Sequence, residues 1–370
     1  GIICALRLKI KNREFEVLIL EQNPRVGKKI LKTGNGRCNI SNLNLSGKNY
    51  NHPEFINHCL EKFSVEDLIA FFRELGLIIR PDASNRLYPY SDYANTVLDV
   101  LLYALKKYNV KVMCDEEVRK IKSGDGFEII TANNRYNADM VVVATGSIAQ
   151  EKTNGYDLLK SLGHSVTALE PGLVALKTKE YVNSLRGIRI KCKAMVIDRG
   201  QLLHEEEGEI LFKEQGLSGI LSMNLSRYVK TGSIVSLDLF PEIDPLPFMT
   251  EALNSKNMED VLMGMLPKML VQEILKRSKN YNLNEVYANL RSLSFEITGR
   301  YGFDMAQITI GGVPIQEINS DFSSKKTKGL YIIGEVLDVD GECGGYNLHF
   351  AWMSGILAAD AIASHFEKKL

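Results

Sequence analysis

The chain of 370 residues has no excess charge of either sign, since 45 Lys and Arg balance 45 Asp and Glu. That balance provides no general electrostatic hold on nucleic acid or on an anionic lipid surface, so neither is an expected partner. It also lacks any apolar run long enough to span a bilayer, so no membrane helix is expected. Its six cysteines (4, 38, 59, 114, 192 and 343) form no C-x-x-C pair. Such scattered thiols argue against a disulfide framework, a zinc ribbon or a dithiol redox centre, and they fit a cytoplasmic protein. The six histidines (52, 58, 164, 204, 349 and 365) show no metal-ligand spacing, so no metal is expected. A G-x-S-x-G nucleophile turn is missing, which leaves a hydrolase without support. No internal repeat or low-complexity segment occurs.

What is present concentrates at the two ends. Near the C-terminus an apolar strand, Leu330 to Ile333, runs into Gly334-Glu335, and a turn rich in Asp, Gly and Glu passes through Asp338. Gly344-Gly345-Tyr346-Asn347-Leu348 then opens an apolar helix. Strand, acidic turn and helix N-terminus together suit a polar, electron-accepting ring: carboxylates take ribityl or ribose hydroxyls and the helix dipole stabilises negative charge. Read alone, the segment also fits a glycine-rich loop closing an α/β crossover.

At the other end, Gly1 begins a helical stretch and a strand, Glu16 to Leu20, ends on Glu21. An acid lies about 20 residues past the glycine turn in a dinucleotide-binding βαβ unit, where it grips ribose hydroxyls. Glu21 takes that place if Gly1 is the last glycine of a G-x-G-x-x-G fingerprint. The earlier glycines and the strand before them are not in the sequence, and an N-terminal segment carrying them is expected to precede Gly1. Next come Lys28, Lys29 and the run Gly34-Asn35-Gly36-Arg37-Cys38-Asn39. Glycines there allow close backbone approach, and the three cations suit a pyrophosphate. A glycine turn flanked by solvated lysines is the plainer alternative.

Together these motifs resemble the YhiN/BaiN family of FAD-dependent oxidoreductases, which includes aminoacetone oxidase-like flavoproteins. The resemblance rests on Glu21 to Ile30, Gly34 to Asn39, Arg86-Leu-Tyr-Pro89, Ala144-Thr-Gly146, Gly208 to Phe212 with Gly216 to Gly219, Gly311 to Val313, Gly334 to Gly341 and Gly344 to Asn347. It implies a Rossmann-like, two-dinucleotide-binding α/β fold with FAD as cofactor. Under it Glu21 holds the adenosine ribose, while Lys28, Lys29 and Gly34 to Asn39 meet the pyrophosphate or ring edge. Thr145 and Gly146 pack beside FAD, and Val118 gives backbone contacts to adenine unless it is a buried strand valine. Glu335 and Asp338 lie near ribityl and pyrophosphate. Gly344, Gly345, Tyr346, Asn347 and Leu348 face the isoalloxazine through backbone amides, although Asn347 equally suits a helix cap. Ser147 departs from the family, which continues with glycine. Cys343 stands where many relatives carry threonine, and reads as a tolerated small residue.

The expected architecture is a discontinuous FAD domain (1–155 and 305–370) interrupted by a β-rich domain (165–240) and a helical subdomain (241–304). The expected activity is hydride transfer between flavin and a small organic molecule, with NAD(P)H as a transient donor, although no second glycine fingerprint marks a nicotinamide site. An oxygen-using amine or aminoketone oxidase, a relative with impaired FAD binding and an RNA-modifying flavoprotein remain alternatives. Arg37, Tyr88 and Tyr346 are placed to border the space above the ring.

Overall fold

A computed structural model of the chain describes residues 1–180, 182–279 and 281–367. Its contacts divide it into two units, Gly1–Glu170 with Ile308–Leu370, and Pro171–Gln307.

The first unit is built on two helices from opposite ends of the chain. Helix Ile2–Lys11 buries Ile3, Cys4, Ala5, Leu6 and Leu8. Its partner Tyr346–Glu367 buries residues on nearly every face, as a helix does when it runs through a core rather than along a surface. The helices meet at Gly355 and Cys4, where a Cβ on Gly355 would come into ordinary contact, 3.4 Å from the Cys4 backbone nitrogen. A two-pronged ion pair from Arg7 to Asp360, at 2.7 and 3.0 Å, fixes the crossing.

Two parallel ladders flank these helices. Leu18–Leu20 pairs with Lys111–Met113, and Val141–Val143 pairs with Leu330–Ile332. In the first, Val17 O and Glu21 N bond to the partner strand, so the alternating backbone groups of Leu18 and Leu20 face the other way. Among the described residues no strand pairs that edge, nor the outer edge of Val141–Val143. A small antiparallel sheet (Ser41–Asn42, Arg86–Pro89, Ile79–Pro81) and a three-stranded meander (Val118–Ser123, Phe127–Thr131, Arg135–Ala138) complete the unit.

The second unit is a closed six-stranded barrel in the order Leu176–Thr178, Gly216–Ser218, Gln201–Lys213, Arg189–Asp198, Ile234–Asp238, Leu293–Arg300. Its long hairpin turns at Arg199-Gly200, both at positive φ (50° and 81°), the conformation that matches a tight turn to strand twist. Helices Leu246–Ala252, Met258–Met263, Lys268–Arg277 and Leu283–Arg291 contribute Met249, Leu262, Val271 and Leu290 to the same core as Ala194, Phe212 and Phe295. The 241–304 segment therefore differs from the expected separate helical subdomain. Its last strand closes the barrel, and strands and helices share one core.

Candidate flavin site

All the site residues named from the sequence lie in the first unit. The turn after the 3₁₀ segment Lys28–Gly36 is left-handed, with φ of 56° at Gly34, 55° at Asn35, 81° at Gly36 and 61° at Cys38. A Cβ on Gly34 would come within 2.7 Å of the Asn39 nitrogen, so only glycine closes the turn this tightly. Cys38 is fully buried and burial pushes its thiol up to about 12, so it serves as packing and not as a nucleophile.

From this loop the two lysines diverge. Lys29 Nζ lies 3.1 Å from Glu335 Oε2 and 3.5 Å from the Ser147 carbonyl, with Gly146 alongside. Glu335 Oε1 accepts from the Thr309 amide at 3.2 Å. Thr145 packs on Gly155, where a Cβ would overlap its hydroxyl, and the Gly334 amide donates to Ser354 Oγ at 3.0 Å. Gly1 opens its helix here, a Cβ at that position lying 3.4 Å from Ala144. Lys28 instead lines a polar cavity of about 420 Å³ with Gln22, Asn23, Lys32, Glu117 and Gln150. Glu21 stands at its edge, its Oε1 taking the Asn23 amide and Nδ2 at 2.9 and 2.8 Å. The Val118 carbonyl accepts from Asn154 Nδ2 at 2.7 Å, which leaves it one further lone pair.

Asp338 sits on another side of the acidic turn. Its Oδ2 accepts from Thr167 at 3.2 Å, and burial raises its carboxyl pKa. Near Glu335 and Asp338 lies the Tyr156 phenol, buried, without a hydrogen-bond partner, and raised in pKa first by burial and then by those two carboxylates. Thr309 Oγ1 is likewise buried and unpartnered.

At the start of the long helix, Gly345 (φ 98°) is pressed onto the β-strand opposite. A Cβ there would lie 2.4 Å from Ser41 O and 2.6 Å from Asn39 Oδ1. Asn42 Nδ2 donates to the Gly344 carbonyl at 3.2 Å. Asn347 does not reach outward: its side chain bonds both backbone groups of Gly341, at 2.8 and 2.9 Å, and so staples its own loop. Tyr346 is also turned inward, edge-on to Tyr50, whose hydroxyl bonds the Tyr346 carbonyl at 2.7 Å. The amides of Asn347 and Leu348 lie in the first turn of this helix, where a helix offers no acceptor of its own. Beneath them His349, fully buried, bonds Ser41 Oγ through Nδ1 at 2.8 Å, while its Nε2 has no partner. Burial alone drives its pKa down to about 3, so the ring is neutral.

These residues fit FAD. Buried polar atoms are almost always hydrogen-bonded, and four orphans, Asn39 Oδ1, His349 Nε2, Tyr156 Oη and Thr309 Oγ1, belong to residues of this region. Two glycine turns keep side chains out of the loops between them, and Lys29 brings a cation. Sequence reading missed His349, Tyr156 and Thr309. Each sits at an unremarkable place in an apolar helix or strand, with no local signal. Among the described residues no group of His, Cys, Asp and Glu is arranged to hold a metal. No helix of the described residues is long and apolar enough to cross a membrane.

Comparison with known proteins agrees. The profile of the HI0933-like protein Rossmann domain matches residues 1–361. The chain is 34% identical to a 3-dehydro-bile acid delta(4,6)-reductase of Clostridium scindens, over 98% of this chain and 96% of that protein. It is 29% identical to a ribosomal RNA dihydrouridine synthase of Escherichia coli K12, over 94% and 92%. In fold it is similar to 3-ketosteroid delta1-dehydrogenase from Sterolibacterium denitrificans, with a TM-score of 0.52 at 12% identity over 98% of this chain and 97% of that one. The glycine turns, the orphaned polar groups and the family match lead to one conclusion: the chain belongs to the HI0933-like Rossmann family and is an FAD-binding, flavin-dependent oxidoreductase.

Proposed function

We propose that the protein passes a hydride between FAD and a small organic acceptor, with NADH or NADPH as donor. The observation that carries this reading is the cradle at Gly345, where a helix N-terminus, two orphaned buried groups and a loop without side chains converge. FAD, when bound, supplies the two-electron chemistry. The chain supplies placement. The amides through Leu348 favour negative charge beside the helix start. Asn39 Oδ1 offers an acceptor and neutral His349 keeps charge out of the floor of the site. Lys29 and Glu335 form a compensated pair that polar parts of the cofactor can join, and Glu21 with the cavity at Lys28 suits a ribose.

The reductive direction and the organic acceptor are supported by the bile-acid reductase relative. Two further relatives are named as ribosomal RNA dihydrouridine synthases. Equal acidic and basic counts give this chain no general hold on RNA, so the small-molecule reading stands first. The test is an absorption spectrum of the FAD-loaded protein during anaerobic addition of NADH or NADPH. Bleaching by either nucleotide, then return of colour on adding an enone, is the expected result. A flavin that resists both nucleotides but is bleached by an amine sinks the reductase reading. Recolouring by an rRNA fragment and not by enones replaces the small substrate with RNA.

A further inference from the structure

Three arginines surround the small sheet formed by Ser41–Asn42, Arg86–Pro89 and Ile79–Pro81, and they differ in one respect. Arg80 stacks over Tyr90, 4.9 Å from the ring centre, and its guanidinium edge is bonded to Asp92. Arg86 is paired with Asp82, at 2.7 to 2.8 Å. Arg37 stacks over Tyr88 at 4.5 Å, the same arrangement as Arg80, but among the described residues no carboxylate lies within ion-pair distance of it.

The stack matters because it holds an exposed guanidinium against an aromatic ring, and a guanidinium so held can meet an oxyanion in two-pronged fashion. Tyr88 is a firm base: its side chain is buried, and Gly34 packs against its ring, a Cβ there lying 3.4 Å away. The surroundings are cationic. Tyr88 lies within electrostatic reach of Arg37, Arg86, Asp82 and Cys343, and Arg86 also within reach of Cys343. Asp82 is committed to Arg86 and to the backbone of Ser84 and Arg86. The next residue after Cys343 is Gly344, where the flavin cradle begins, and Asn39, two residues past Arg37, is part of that cradle.

We infer that Arg37, held on Tyr88, is a subsite for a carboxylate on the substrate, so that the acceptor is an organic acid presenting its anionic group beside the flavin loop. The position beside the reacting ring rests on the flavin reading above; the anion subsite itself does not.

Cys343 is a built-in reporter, because it is a half-buried cysteine next to the cluster, and Cys114 is the other half-buried cysteine among the described residues. The full-length protein is alkylated with iodoacetate, an anion, or iodoacetamide, its neutral analogue, and both sites are followed by mass spectrometry. An oxyanion site at Arg37 raises the iodoacetate-to-iodoacetamide rate ratio at Cys343 above that at Cys114 by about 10-fold, as local concentration of an anion by fixed charge allows. Arg37→Gln lowers the ratio at Cys343 and leaves unchanged that at Cys114, which stands beside Asp115, Glu116 and Glu117. Arg37→Lys, which keeps charge but not the planar fork, falls between the unaltered protein and Arg37→Gln. Benzoate slows the iodoacetate reaction at Cys343 in the unaltered protein and not in Arg37→Gln. Equal ratios at the two cysteines, or an unchanged ratio in Arg37→Gln, overturn the subsite. Protection by inorganic phosphate and not by benzoate overturns the carboxylate assignment. FAD binding is measured separately, so loss of the flavin reading with the ratio intact leaves the anion subsite standing.

Discussion

Acidification tests the structure most directly at His349. Its ring is fully buried, and it is held near pKa 3 by burial alone. An unfolded histidine titrates near 6.5. The folded state therefore refuses a proton that the unfolded chain accepts. Stability from this group is complete above about pH 6.5 and is lost progressively as pH falls toward 3. At about pH 4.5 the loss comes to about 3 kcal/mol, with about 1.4 kcal/mol for each full unit between the two values. Carboxylates and His164 also respond to acid, so the informative comparison is with His349→Gln, which can still bond Ser41 but does not titrate. The assay is urea unfolding followed by Trp352 fluorescence. Trp352 is the chain's single tryptophan and lies one helical turn from His349, so it reports the first unit without mixing in the second. Between about pH 8 and 4.5 the stability of the unaltered protein should fall by about 3 kcal/mol more than that of the variant. Parallel pH curves for the two proteins would refute a buried, neutral His349.

Three further outcomes are expected. Gly345→Ala puts a Cβ 2.4 Å from Ser41 O in a left-handed backbone, and should cost about 2–4 kcal/mol in thermal unfolding while weakening FAD binding in a fluorescence titration. Lys29→Met leaves Glu335 without its cation, and should raise the FAD dissociation constant about 10-fold, with Lys29→Arg recovering most of it; equal affinity for all three proteins contradicts the role given to Lys29. Burial would raise the Glu317 carboxyl, but Lys326, Ser165 and His164 outweigh it and hold it at about 2. Its contribution is thus complete above about pH 4.5 and fades toward pH 2, and Glu317→Gln should cost about 2–3 kcal/mol at neutral pH and flatten that acid limb in denaturant titrations.

The parts of the site that could be read from sequence are those where a short motif fixes backbone shape. Gly34 and Gly345 occupy positions that a Cβ would destroy, and such positions announce themselves as glycines between apolar segments. The ends of Leu18–Leu20 and Leu330–Ile332 were legible for a related reason, a run of branched apolar residues ending on an acid. Side-chain partnerships were not. Ser41 and His349 are 308 residues apart, and Lys29 and Glu335 are 306 apart, so nothing local links them. The bond from Asn154 Nδ2 to the Val118 carbonyl likewise spans 36 residues, so no local pattern marks it. Leu293–Arg300 carries an alternating pattern, Leu-Ser-Phe-Glu-Ile, yet it follows helix Leu283–Arg291 almost without a break, and the helical period masked the change.

The pairing of Val141–Val143 with Leu330–Ile332 also sets a timetable. The later strand leaves the ribosome about 190 residues after the earlier one, roughly 10–40 s at ordinary elongation rates. Through that interval the first strand waits with its partner unsynthesised, while the barrel between them can close as soon as Leu293–Arg300 has emerged. The middle of the chain is thus able to finish folding before its two ends meet. A cut just before Leu330 would leave a folded barrel attached to an unpaired ladder without the long helix on which the flavin site is built.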